Sequence, residues 1–214
     1  MTYPFLCLRI SEIVACLTGF FYFKKFKKTS GAVVIFYLLF IVLCENLVAV
    51  LNFFADHKFD YFIDLFYRFF VIPVEFVFYY WLFFVSFKNS TSKWLPIVCA
   101  GIYIVSLVSD FLYFNKINMY FDSISYTIGN LLLLVLILRF FINLVTSNSI
   151  LDFKRNPMFW ISLGLLVYYL GSFPFYGLFN LLSTKHSDWF NAYFLLSNAL
   201  DCVMYLLFAI SFIC

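Results

Sequence analysis

The sequence predicts an all-α membrane protein in which seven transmembrane helices form one bundle. Of its 214 residues, 65% are hydrophobic and 12% are charged, whereas a soluble domain is about half apolar and about a quarter charged. Seven apolar stretches are separated by polar clusters, and each is long enough to cross a bilayer, which takes about 20 residues. Little sequence is left over, so we expect residues 1–214 to form a single domain.

The predicted spans follow one another with short turns between them. Tryptophans near their ends support the boundaries, because indole rings favour the headgroup region of a membrane; these are Trp81, Trp94, Trp160 and Trp189. The seven spans cover residues 4–23, 31–54, 61–86, 94–114, 124–145, 157–181 and 189–213.

The distribution of cations between the turns predicts the orientation of the bundle. Eight cations lie in the first, third and fifth turns, namely Lys24, Lys25, Lys27, Lys28, Lys88, Lys93, Lys154 and Arg155. The other turns carry three, namely Lys58, Lys116 and Lys185. Cytoplasmic loops are enriched in lysine and arginine, so we expect the amino terminus outside, the carboxyl terminus in the cytoplasm and the protein in the inner membrane.

Charged residues inside the predicted spans are the strongest indication of function. Each costs about 2.5–3.5 kcal/mol on insertion scales, so such residues normally face the bundle interior and mark functional sites. Three cations stand against six carboxylates, so some of the acids lack an arginine partner. The nine residues are Arg9, Glu12, Glu45, Asp64, Arg68, Glu75, Asp110, Arg139 and Asp201.

Most of these groups fall in the outer half of their spans, which predicts a polar pocket open to the outside. In an uninterrupted α-helix Asp64, Arg68 and Glu75 share one face, and Glu75 lies close to Pro73, which removes a backbone hydrogen bond. We predict that the core of a ligand-binding site consists of Glu75, Arg68, Asp201 and Glu45. Arg9, Glu12, Asn198 and Tyr169 are expected near it.

Several chemistries require residues that this chain lacks or holds in the wrong place. The only histidines, His57 and His186, lie in predicted outer loops, which excludes a zinc hydrolase with intramembrane histidines and a Ser–His protease. The six cysteines form no CxxC pair, and no nucleotide-binding motif is present. We therefore predict no catalytic residues, metal site or cofactor. The net charge of +3 gives no reason to expect a nucleic-acid partner.

Three stretches of sequence stand out together, namely IPVEFVFYY at 72–80, NPMFWISLGLLVYYLGSF at 156–173 and SNALD at 197–201. They resemble a family of uncharacterised bacterial seven-transmembrane proteins. Members of the family stand alone or beside sensor histidine kinases and are regarded as membrane sensory modules. The family pattern has a histidine near position 197 and an asparagine at 201, so Ser197 and Asp201 depart from it. The resemblance implies a sensory function that acts through a separate protein.

The leading hypothesis from the sequence is a sensory module that binds a small molecule from the outer side and signals through a protein partner. Its expected partners are membrane lipid, that ligand and the signalling protein. Two alternatives stay open. One is a small-solute transporter; the other is a lipid-modifying enzyme, comparable to small multi-span lysoplasmalogenases, with Asp201 and Glu75 as acid and base.

Overall fold

The computed structural model describes residues 3–27, 31–55, 59–87, 92–113, 124–146, 153–177 and 187–214. Within these ranges all long elements are helices. We name them α1 (Tyr3–Phe21), α2 (Gly31–Ala55), α3, α4 (Leu95–Tyr113), α5 (Ile124–Val145), α6 (Pro157–Gly177) and α7 (Ser187–Ile213). A short helix, Phe23–Phe26, follows α1. Helix α3 consists of three consecutive segments, Asp60–Phe66, Tyr67–Val71 and Ile72–Ser86.

Each of the seven predicted apolar stretches coincides with one of these helices. Five helices, α2, α3, α4, α5 and α7, are long and apolar enough to cross a membrane. In α6 the apolar stretch that is described is shorter, Pro157–Phe173, and α1 carries Arg9 and Glu12 within it. The chain is therefore an all-helical membrane protein. Lys28, Lys58, Lys88, Lys116, Lys185 and both histidines lie outside the described residues.

The helices form a ring with α3 nearest its centre. Helix α1 packs against α2 and α7, α7 against α6, α6 against α5, and α5 against α4. Helix α3 contacts α4 and α5, and it meets α2 through the rings of Tyr37 and Phe78, whose centroids are 3.9 Å apart. Phe76 of α3 is fully buried, with Tyr103 of α4 and Tyr169 of α6 at 5.0 and 5.9 Å between centroids.

Close packing of helix surfaces holds this arrangement together, because lipid offers no hydrophobic driving force between helices. Small residues let backbones approach. A Cβ atom placed on Gly164 of α6 would lie 3.2 Å from the carbonyl oxygen of Met204 in α7. One on Gly129 of α5 would lie 2.9 Å from the ring of Tyr103. These two glycines permit the α6–α7 and α4–α5 contacts.

Helix α3 contains a π-helical turn at Tyr67–Val71. There the amide of Ile72 donates to the carbonyl oxygen of Tyr67, five residues earlier instead of four. Pro73 follows directly, and it has no amide hydrogen with which to continue the usual ladder. A π-turn adds one residue to a turn and is frequent at functional sites, so the α-helical spacing between Arg68 and Glu75 does not hold here.

Two of the charged residues inside the spans hold helices together near their ends. The Asp110 carboxylate of α4 accepts a 2.9 Å hydrogen bond from the amide of Ser125, in the first turn of α5. Carboxylates are favourable at helix amino termini because the amides there are unpaired. Arg139 of α5 donates through Nε to the Ser92 hydroxyl at 2.7 Å, just before α4 begins. These contacts are structural.

Candidate functional site

Four carboxyl groups from four different helices interact with one another inside the ring. They belong to Glu12 of α1, Glu45 of α2, Glu75 of α3 and Asp201 of α7. Glu12 interacts electrostatically with Glu45 and Glu75, and Asp201 interacts with all three of the others. We call these four residues the carboxyl cluster. The helix ring brings together side chains that are far apart in sequence.

Tyrosine hydroxyl groups surround the Glu75 member of the cluster. The Tyr169 hydroxyl of α6 donates to Oε1 of Glu75 at 3.0 Å. The hydroxyl groups of Tyr79 and Tyr37 also interact with this carboxyl group. The Tyr37 hydroxyl in turn donates to that of Tyr79 at 3.2 Å. Glu75 thus links α2, α3 and α6 through a network of hydroxyl groups.

Glu75 keeps accessible surface although the rings around it do not. Tyr79 and Tyr169 are each 1% exposed and Tyr37 is 5% exposed, whereas Glu75 is only half-buried. Glu45 and Asp201 also keep part of their surface accessible. Part of each of these three side chains is therefore accessible next to buried aromatic rings.

The π-turn places Tyr67, not Arg68, opposite Glu45. The Tyr67 hydroxyl donates to Oε1 of Glu45 at 2.6 Å, which is short, as expected for a bond to a carboxylate. Arg68 is partly buried and its guanidinium lies 5.5 Å from the centroid of the Phe69 ring. The one-residue offset thus decides which side chain meets the cluster.

Removing the Tyr67 hydroxyl should destabilise the protein measurably. A hydrogen bond to a charged group contributes about 1.5–3 kcal/mol, so we expect Tyr67→Phe to lower the free energy of unfolding by about 2 kcal/mol. Tyr61→Phe is the matched control, because Tyr61 lies in the same helix and is 66% exposed. Unfolding by sodium dodecyl sulfate in mixed micelles measures both. Equal stabilities of the two variants would contradict a contribution from this bond.

Arg9 is a cation that interacts with the cluster. It lies one helical turn before Glu12 in α1 and interacts with it electrostatically. Its side chain is partly exposed. One guanidinium beside several carboxyl groups leaves an excess of negative charge, which a low-dielectric interior tolerates only if protons or a bound cation neutralise it.

The remaining predicted site residue, Asn198 of α7, is 9% exposed, and its amide nitrogen donates to the Phe194 carbonyl oxygen at 2.8 Å. That bond lies within its own helix. One turn beyond Asp201, Tyr205 is buried and interacts with Glu12 and Asp201. Tyr37, Tyr67 and Tyr79 join the site although they were not among the predicted residues. Of these three tyrosines, only Tyr79 could have been predicted from the sequence, because it lies one turn after Glu75 on the same helix face.

The donor set of the cluster suits protons or a cationic group better than a metal ion. Within the described ranges no three His, Cys, Asp or Glu side chains come close enough to share a metal ion. Asp201 and Glu75 interact electrostatically. They are also the pair named for the enzymatic alternative.

Comparison with known proteins finds no matching family model, no similar curated protein and no similar solved structure.

Proposed function

We propose that this chain is a seven-span protein of the inner membrane that binds a small ligand at the carboxyl cluster and transmits binding to a protein partner. The amino terminus lies outside and the carboxyl terminus in the cytoplasm. The observation that carries the proposal is the cluster itself, in which four helices each contribute a carboxyl group. Such groups are expensive in a bilayer and are kept where they serve a function.

Helix α3 offers the movable element that a sensor needs. A ligand changes a conformational equilibrium only if it binds one arrangement better than the other. The π-turn and Pro73 interrupt the hydrogen-bond ladder of α3 between Tyr67, which contacts Glu45, and Glu75. A ligand at the cluster would therefore bias the junction between the two halves of this helix. The resemblance of residues 72–80, 156–173 and 197–201 to membrane sensory modules also supports a sensory function.

Ligand binding is tested by thermal unfolding of the purified protein in dodecyl maltoside against a panel of small cations, anions and neutral solutes. We expect at least one compound to raise the melting temperature of the wild type and to raise that of Asp201→Asn less. A panel in which no compound shifts the melting temperature contradicts the proposal. Asp64→Asn serves as the control, since Asp64 is exposed on α3.

The orientation has a separate test. Green fluorescent protein fused after Cys214 should fluoresce, because it folds in the bacterial cytoplasm, and alkaline phosphatase fused at the same place should be inactive. The opposite pair of results would place the carboxyl terminus outside and would reverse the proposed direction of ligand access.

A second candidate function is proton-coupled transport of a small solute. The network of Tyr37, Tyr79, Tyr169 and Glu75 favours it, because a carboxyl group within a chain of hydroxyl groups can pass a proton. Uptake into proteoliposomes driven by a pH gradient, and its loss in Glu75→Gln, would support transport. A wild type that moves none of the stabilising compounds would contradict it and would leave sensing in place.

A further inference from the structure

We infer that the ligand of the carboxyl cluster is an organic cation, a small molecule that carries an ammonium group. This inference rests on the proposed function and adds the chemical class of the ligand. Three independent features of the site lead to it: its charge, its unused hydrogen-bond acceptors and its aromatic walls.

The charge of the site is the first feature. Among the described residues, the charged groups that interact with Asp201 are all acidic, namely Glu75, Glu12 and Glu45. Glu12 interacts with two acidic residues but with only one cation among the described residues, Arg9. An anionic ligand would meet this excess of like charge in a medium that screens poorly. A cationic ligand would reduce it.

Unused acceptors are the second feature. Glu12 is 4% exposed, and it faces the cluster because Glu45 and Glu75 both interact with it. Within the described residues no hydrogen bond to the carboxyl groups of Glu12 or Asp201 is found. The positive charge of an ammonium ligand would lie beside these two carboxyl groups and compensate them without any change in the protein.

Aromatic walls are the third feature, and they separate an organic cation from a bare ion. Tyr79 and Tyr169 meet edge to face beside Glu75, with centroids 6.3 Å apart. Tyr37 stands on the second side and Tyr205 lies beside Asp201. The faces of such rings attract ammonium groups, and aromatic cages are a recurrent way to bind them. A metal ion would instead need several convergent ligands, and among the described residues no three His, Cys, Asp or Glu side chains converge in this way.

The test compares three probes of one shape and different charge. Choline carries a quaternary ammonium group, 3,3-dimethylbutan-1-ol is its neutral carbon analogue, and 3,3-dimethylbutanoate is an anion of similar size. Isothermal titration into the purified full-length protein should give choline an affinity at least tenfold higher than that of the alcohol, with no binding of the anion. Na⁺ and K⁺, titrated alone and as competitors, should not displace choline.

Variants connect the charge preference to the cluster. Asp201→Asn and Glu12→Gln should each weaken choline binding at least tenfold and leave the affinity for the neutral alcohol unchanged, whereas Asp64→Asn should change neither. Equal affinity for choline and the alcohol, preference for the anion, or displacement by Na⁺ would each overturn the organic-cation assignment. Other compounds of the thermal panel would still bind in those cases, so the proposed function would survive. If no compound binds at all, both proposals fall together.

Discussion

Replacing Glu75 with leucine should lower the free energy of unfolding by about 3 kcal/mol, because each buried hydroxyl group left without its acceptor costs about 1–3 kcal/mol. The buried Tyr169 hydroxyl donates a hydrogen bond to this carboxyl group, and the hydroxyl groups of Tyr37 and Tyr79 interact with it. Glu75→Gln should stay close to the wild type, since the amide keeps an acceptor oxygen and the volume of the side chain.

Replacing Asp201, another member of the carboxyl cluster, with asparagine should raise the stability of the protein instead of lowering it. Asp201 receives no hydrogen bond from the described residues, and the charged groups that interact with it there are all carboxyl groups. Asp201→Asn relieves repulsion without orphaning a partner, and we expect it to raise the free energy of unfolding by about 1 kcal/mol. The gain would come with weaker ligand binding, as is common where a functional site is electrostatically strained.

Thermal unfolding in detergent, followed by tryptophan fluorescence, measures all three variants under one set of conditions. The informative result is the order of melting temperatures: Asp201→Asn highest, then the wild type and Glu75→Gln, with Glu75→Leu lowest. A stable Glu75→Leu protein would show that the tyrosine network contributes no stability. An Asp201→Asn protein less stable than the wild type would show that Asp201 has a stabilising partner.

Replacing Gly164 with leucine should be comparably damaging for a steric reason. A Cβ atom at this position lies 3.2 Å from the Met204 backbone oxygen and 3.3 Å from the Phe208 ring. The remaining three carbons of leucine would have to displace α7 from α6, its most extensive contact among the described helices. Overpacking costs about 1–3 kcal/mol where side chains can yield, and a backbone neighbour puts the expected loss at about 3 kcal/mol.

The matched control is Gly101→Leu in α4. A Cβ atom there meets no other atom within 4 Å, and leucine favours the helix over glycine by up to about 1 kcal/mol. We therefore expect Gly101→Leu to unfold at or above the wild-type temperature. If Gly164→Leu and Gly101→Leu lost similar amounts of stability, the cause would be the larger side chain itself and not its clash at the α6–α7 contact.

The sequence predicts the helices well because hydropathy is a local property. The observed helices Gly31–Ala55, Ile124–Val145 and Ser187–Ile213 lie within two residues of the predicted ranges. Neighbour relations are not local, so the meeting of Glu12, Glu45, Glu75 and Asp201 depends on how seven helices pack. The sequence nevertheless identifies all four residues as candidates for the site, because acidic residues are rare in apolar stretches.

Aromatic partners of the site could not be predicted in the same way. The chain contains 16 tyrosines and 33 phenylalanines, so an additional tyrosine in a span carries little information. The sequence also could not predict that Tyr67, one residue before Arg68, would contact Glu45. This contact depends on a single shifted hydrogen bond in α3. Periodicity assumes 3.6 residues per turn throughout, and Pro73 alone does not reveal where a helix departs from it.

Because of that shifted hydrogen bond, one turn of α3 contains one residue more than an α-helical turn. If the amide of Ile72 bonded four residues back instead of five, the first segment of α3, Asp60–Phe66, would turn by about 100° and advance by about 1.5 Å relative to Ile72–Ser86. Arg68 would then occupy the position that Tyr67 holds opposite Glu45. One slip in register would exchange a neutral hydroxyl for a full positive charge, so the geometry of a single turn sets the net charge of the whole cluster.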